Sequence, residues 1–251
     1  MTSLGIERLG RVLVLTLMRP SHANSFDTEL VSRMHEALDD VEHDEEVGAI
    51  VLTGTGSNFC AGSDMREEDR PPGWLDRIKQ LFDRLEASRR PSIGAVNGPA
   101  IAGGCELALA LDLRVASTAA TFGFPEVTFG GLAFAGGTQR LARLVGPARA
   151  KELLLTGDAI DAEEAMRIGL VNRVVPRGTE VEAAVALATR IASHSSTSVR
   201  LAKWLIDNGR SMGDRTAGEA EALIGNLVVM PNLPVHPLAA DSGPGILPID
   251  R

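Results

Sequence analysis

Two glutamates stand where residue type and setting suit proton transfer: Glu106, in Gly103-Gly104-Cys105-Glu106, and Glu126, in Phe122-Gly123-Phe124-Pro125-Glu126. Two carboxyl groups sharing a partly apolar pocket push their pKa values up or apart, so that one can be neutral while the other is charged. Two more segments are dense in small residues: Asn58-Phe59-Cys60-Ala61-Gly62-Ser63-Asp64-Met65 and Ala135-Gly136-Gly137-Thr138-Gln139-Arg140-Leu141. Gly103-Gly104 opens a helix expected to run through Leu111. Its first N–H groups lack partners within the helix and can receive developing negative charge. Two such backbone donors from different loops make an oxyanion hole. Each residue also has an ordinary structural use. Acidic residues at a helix start complement its dipole, and glycines serve turns.

The elements that must position these groups read as an α/β chain. Residues 11–18 (RVLVLTLM), 49–53 (AIVLT) and 92–96 (SIGAV) are continuous apolar runs ended by turn residues, the pattern of buried parallel strands. The second and third lead directly into small-residue segments, at the carboxyl ends where such a sheet leaves its ligand crevice. Between the strands, Leu30, Val31, Met34, Leu38 and Val41 recur at helical spacing behind Asp27 as N-cap, and residues 74–85 repeat the pattern. Beyond Gly136 the chain is mostly helical, over residues 138–144, 147–155, 162–168, 181–193 and 198–208, with one short strand at 171–175. Trp74 and Trp204 fall on apolar helix faces and are read as core or interface. Residues 231–251, with five prolines and no periodicity, are expected to be extended or poorly ordered.

At 251 residues the chain is long enough to bury roughly 70–75% of the surface its unfolded form exposes, so it needs no staples. Its two cysteines form neither a disulfide framework nor a metal site and read as small buried hydrophobes, since no histidine stands in either motif. A net charge of −8 without a Lys/Arg block argues against nucleic acid and anionic membranes as partners. With no signal-like or membrane-spanning segment recognised, the protein reads as cytoplasmic.

The sequence resembles the enoyl-CoA hydratase/isomerase family, the crotonase superfamily, from about Leu4 to about Asp207. The resemblance is carried by Met18-Arg19-Pro20 with Ala23-Asn24, AIVLTGTGSNFCAGSDM, AVNGPAIAGGCELALALDLRVAS, FGFPE, GGTQRL and TGDAIDAEEAMRIGLVNRVV, in that order. It implies a crotonase-like spiral of ββα turns (residues 1–195), a helical C-terminal region for oligomerisation (196–230) and the Pro-rich tail (231–251). It also implies an acyl-CoA thioester substrate, no separate cofactor or metal, and a homotrimer or homohexamer. Carried onto these motifs, the oxyanion donors are the N–H groups of Ser63 and Gly103. Ala23, Ala61, Asp64, Met65 and Phe134 lie along the substrate, with Asp64 also ordering its turn. Glu106 activates water and Glu126 gives a proton to carbon. His22 falls in the loop expected near the CoA moiety and reads as a solvated loop histidine.

The sequence departs from the family in two places. Phe134 stands where a glycine backbone usually helps hold the attacking water, and the C-terminal region has no Lys or Arg between Arg215 and Arg251, leaving Arg19 and Arg66 as the motif-placed cations for CoA phosphates. The leading reading is hydration of a 2-trans-enoyl-CoA. The alternative is Δ3,Δ2-enoyl-CoA isomerisation, or another reaction such as thioester hydrolysis, with Glu126 as proton shuttle. A non-catalytic CoA- or RNA-binding role is the remote one.

Overall fold

The computed structural model describes residues 2–228. Strands β1 (Leu4–Leu9) and β2 (Val12–Leu17) form an antiparallel hairpin around Gly10, whose φ of +61° a side chain would disfavour. The sequence pattern does not announce β1, because it exposes Glu7 and Arg8 at the sheet edge and carries no apolar run. β3 (Ala49–Gly54) pairs parallel with β2, and β4 (Ser92–Val96) pairs parallel with β3. The chain then leaves this sheet for β5 (Ala100–Ile101), returns in β6 (Leu113–Ser117), leaves again for β7 (Thr121–Gly123) and β8 (Ile160–Asp161), and returns in β9 (Arg173–Val175). The result is a six-stranded sheet, β1-β2-β3-β4-β6-β9, beside a three-stranded one, β5-β7-β8. This alternation between two sheets, with helices after the strand pairs, is the spiral expected from the sequence.

Strand alternation divides the large sheet's apolar residues between two faces. Val12, Val14, Ala49, Val51, Ile93, Ala95 and Val115 face the helix Glu180–Ala192 (α7) and pack on its Ala184, Leu187, Ala188 and Ala192. Leu15, Leu17, Ile50, Leu52, Val96 and Ala116 enter the main core. There they meet α1 (Thr28–His43), through Leu30, Val31, Met34 and Leu38, and α2 (Trp74–Ala87), through Trp74, Ile78, Leu81 and Phe82. Burying each such side chain stabilises the fold by about 1.5–3 kcal/mol. Asp27 is the N-cap of α1, its carboxylate accepting the Leu30 N–H at 2.8 Å. Such a cap contributes about 1 kcal/mol.

The remaining helices are α3 (Gly103–Leu109), α4 (Gly137–Val145), α5 (Pro147–Thr156), α6 (Ala162–Arg167), α7 (Glu180–Ala192), α8 (Ser196–Met212) and α9 (Asp214–Val228). Helix α3 stops at Leu109 instead of continuing through Leu111. The buried Arg114 guanidinium takes the carbonyls of Ala108 (3.1 Å) and Leu111 (2.6 Å), drawing the chain off the helix axis. Trp74 lies in the core as expected.

The described chain divides into two units after Arg200. In the second, α8 turns into α9 at Gly213, whose φ is +75°, and Trp204, Ile206, Leu223 and Leu227 are exposed. The Pro-rich segment 231–251 lies outside the described residues. Among those described, no helix is long and apolar enough to cross a membrane.

Candidate active site

The loops after β3 and β4 are knitted together before either reaches the site. Phe59 and Cys60 donate their N–H groups to Pro99 O (3.0 and 3.2 Å), and Ile101 N donates to Cys60 O at 3.0 Å. Two asparagine amides fill the space between the loops. Asn24 Nδ2 donates to the carbonyls of Thr55 (2.9 Å) and Asn58 (2.8 Å), and Asn97 Nδ2 to those of Gly56 and Asn58 (both 3.1 Å). Gly104 completes the contact: a Cβ there would fall 1.9 Å from Cys60 O, so only glycine lets α3 start this close to the loop.

This packing aims two backbone donors. Phe26 N donates to Gly62 O and Asp64 N to Phe26 O, both at 2.8 Å. With its neighbours bonded to Phe26 in this β-bridge, Ser63 turns its own N–H to the opposite side, where it meets no acceptor among the described residues. On the second loop, Ala102 holds φ +53° and ψ −127°, a conformation alanine rarely adopts. It is pinned by its N–H to Gly123 O (2.9 Å) and by its carbonyl accepting from Cys105 and Glu106. The turn leaves the Gly103 N–H, first in α3, without an acceptor among the described residues. The two loops touch here, since a Cβ on Gly62 would come within 2.9 Å of Gly103 N.

Glu106, 2% exposed, projects from the first turn of α3. Its Oε1 accepts the Gly137 N–H at 2.9 Å, while Oε2 lies 3.9 Å from the position a Cβ on Gly103 would occupy. Burial, reinforced by the nearby charge of Glu126, pushes its pKa up to about 7 against the opposing Gly137 N–H. Glu126 sits in the 3-10 turn Pro125–Phe129, is 8% exposed, and keeps a buried Oε2 with no hydrogen-bond partner. Burial raises its pKa as well. A cavity of about 150 Å³ opens beside it, with Phe124, Val127, Leu132, Ala133 and Leu154 among its walls.

The other expected site residues divide into two groups. Ala23 and Ala61 meet through Ala61 N donating to Ala23 O at 3.0 Å, beside the Ser63 turn. Asp64, 5% exposed, orders that turn: its carboxylate accepts Arg66 N (3.1 Å) and the guanidinium of Arg19 (3.0 Å). Although burial opposes it, these bonds hold the carboxyl below the usual range. Met65 is largely exposed. Phe134 lies between buried Ala133 and Ala135, but its ring is 39% exposed and lines no part of the cavity beside Glu126. Its occupation of the family's glycine position therefore does not fill that cavity.

Arg19 corrects its reading as a phosphate contact. Its guanidinium is consumed by Asp64 (3.0 Å), Asp27 (2.9 Å) and Ser25 O, whereas the Arg66 guanidinium remains exposed with a bond to Asp64 (3.2 Å) beside that of its backbone N–H. Both cysteines are fully buried. Burial pushes the Cys60 thiol up to about 12, and burial with the carboxyls of Glu106 and Glu126 raises Cys105 further. His22 is half-buried, its Nδ1 2.9 Å from Ser21 Oγ. Sequence reasoning missed Asn97, the Gly137 N–H and Arg140. The signal for the last two was present in Gly136-Gly137-Thr138-Gln139-Arg140, but a buried arginine has no mark in a helical pattern.

A two-sheet spiral whose loops after β3 and β4 meet at Gly62 and Gly103 defines a crotonase-like α/β protein. The chain belongs to the enoyl-CoA hydratase/isomerase family, whose model matches residues 7–224. It is 41% identical over 220 residues to a short-chain-enoyl-CoA hydratase of Clostridium acetobutylicum, covering 84% of each chain. It is likewise 41% identical over 206 residues to a 2,3-dehydroadipyl-CoA hydratase of Escherichia coli, covering 81% of each. The crystal structure of an enoyl-CoA hydratase from Bacillus anthracis superposes with a TM-score of 0.87 at 35% identity, over 90% of this chain and 91% of that one.

Proposed function

We propose that the protein hydrates a 2-trans-enoyl-CoA thioester to the 3-hydroxyacyl-CoA, with no separate cofactor. In this reading the thioester oxygen sits between the N–H groups of Ser63 and Gly103. Negative charge moving onto that oxygen as water attacks C3 is met by donors already aimed at it, each worth roughly 10²–10³ in rate. Glu106 removes the proton from water, Glu126 delivers a proton to C2, and the C=C bond is replaced by new C–O and C–H bonds. A carboxyl near pKa 7 suits the first task, because it exchanges charged and neutral forms near neutral pH.

The observation that carries the reading is Glu106 itself: a second buried carboxyl, held by Gly137 beside Gly103, that a single-shuttle isomerase using Glu126 would not need. Phe134 does not wall the cavity beside Glu126, which favours hydration over the isomerisation that a dry site would suit. Ala23, Ala61, Asp64 and Met65 lie on or next to the Ser63 turn and would border the thioester. The exposed apolar residues of α8 and α9 fit burial in a homotrimer or hexamer, and the compartment inferred is the cytoplasm. The test is to mix the protein with crotonyl-CoA and follow loss of the conjugated enoyl absorbance, beside a 3-enoyl-CoA. Hydration of the first supports the reading. Interconversion of the second without hydration of the first installs the isomerase in its place, and release of free CoA installs the thioesterase.

A further inference from the structure

Arg140, on α4, is 6% exposed and lies behind the site, where no substrate atom reaches it in the proposed reaction. Its Nη1 donates to Ala135 O at 2.7 Å. Nε and Nη2 both donate to Glu86 Oε2 (3.0 and 2.8 Å), and Nη2 also to Asp83 Oδ1 (2.8 Å). Its own backbone N–H closes on Gly136 O at 2.8 Å. The guanidinium lies so close to the turn that a Cβ on Gly136 would come within 2.0 Å of Nη1. One side chain thus fastens the Ala135-Gly136 turn to α2, and the next residue, Gly137, donates to Glu106 Oε1 at 2.9 Å.

Burying a guanidinium beside two carboxylates is not an efficient way to stabilise a fold, because desolvation offsets most of the attraction. What the arrangement does uniquely is set the direction of one N–H bond and keep a positive charge behind a carboxylate. We propose that Arg140 is a positioning residue for Glu106: clamped by Asp83 and Glu86, it fixes the turn that presents Gly137 to this carboxylate. The proposal rests on the hydratase reading only for its kinetic consequences.

The charged and titratable groups near Glu106 lie on three sides: Cys105 on α3, whose thiol Glu106 helps keep neutral, Glu126 on the 3-10 turn and Arg140 on α4. Behind Arg140 stand Asp83 and Glu86 of α2, themselves paired with Lys79 and Arg143. Removing the Arg140 charge leaves only the Gly137 and Ala135 N–H groups to oppose burial and Glu126, so Glu106 holds its proton to higher pH.

The experiment compares wild type with Arg140→Met, Arg140→Lys and the double variant Asp83→Asn/Glu86→Gln, each checked for folding by circular dichroism. The Glu106 titration is read by 13C NMR of glutamate-labelled protein, with Glu106→Gln giving the assignment, and crotonyl-CoA hydration is followed across pH. In Arg140→Met the Glu106 midpoint should rise by ~0.5 pH unit or more, and kcat should fall at least ~10-fold with KM within ~2-fold. Lysine, restoring the charge without the fork, should return the midpoint toward wild type while recovering only part of kcat. A folded Arg140→Met protein with a wild-type midpoint and kcat overturns the proposal and leaves Arg140 a fold staple. Should Arg140→Met not fold, the double variant decides, since it keeps Arg140 but loosens its anchor: lowered kcat at unchanged KM supports the proposal and unchanged kcat overturns it. A wild type that shows no hydration instead refutes the hydratase reading, while the NMR midpoint still tests Arg140.

Discussion

The Gly137 backbone N–H donates to Glu106 Oε1 at 2.9 Å, joining the first turns of two helices through residues thirty-one apart in sequence. That bond occupies one oxygen of the carboxylate and leaves Oε2 on the side of Gly103. Under the proposed hydration, Oε2 is the oxygen that meets water.

Both glutamates are therefore expected to be indispensable, for different reasons. Glu106→Gln and Glu126→Gln should each lower kcat for crotonyl-CoA by about 10²–10⁴ while leaving the fold intact, since proton transfer by one positioned group is worth that much. Steady-state kinetics with circular dichroism check this. Full turnover by Glu106→Gln would sink the two-carboxylate mechanism.

The raised pKa of Glu106 has a consequence for stability. Its folded value, about 7, lies above its ordinary 4.5, so the folded state binds the proton more tightly than the unfolded one. The associated stability is fully present below about pH 4.5 and is lost as pH rises through about 7, at about 1.4 kcal/mol for each pH unit between the two values. Denaturant unfolding of wild type and Glu106→Gln should diverge between about pH 4.5 and 7, the variant lacking this loss. Parallel pH curves would contradict the raised value.

Glycine at the loop contact is expected to separate folding from function. Gly104→Ala forces a Cβ to 1.9 Å from a carbonyl oxygen and should cost more than about 3 kcal/mol, or prevent folding. Gly103→Ala meets Gly62 Cα at 3.3 Å and has no positive φ, so it should fold with a smaller loss and reduced turnover. Thermal melts of the two variants measure the difference.

Phe134→Gly should change hydration by no more than a few-fold, because the residue is not among the walls of the cavity beside Glu126. A large gain in the variant would mean that the ring displaces the attacking water in solution.

Cys60 and Cys105 should resist iodoacetamide in the native protein at pH 8 and react only after unfolding, since both are fully buried with raised pKa values. Mass spectrometry before and after denaturation reads this directly. Rapid native labelling would show that the loop holding Cys60 or the start of α3 holding Cys105 opens.

Elements whose signal is local were legible in the order of residues alone. The apolar run of β4 marks its strand limits to the residue, Asp27 caps α1 as its spacing requires, and Pro147 with Gly157 bounds α5. The motifs around Glu106 and Glu126 likewise point to carboxyl chemistry before any coordinates are known. What depends on contacts between distant segments was not legible there. β1, with one buried residue, exists because β2 offers it an edge. Arg114 ends α3 with a guanidinium brought from β6, and Arg19 gives its charge to Asp27 and Asp64 instead of facing outward. The pKa of Glu106 and the direction in which Ser63 and Gly103 point their N–H groups also belong to tertiary structure. Desolvation and hydrogen-bond geometry are properties of the packed surroundings, and no residue carries them in its own identity or in its spacing from the next.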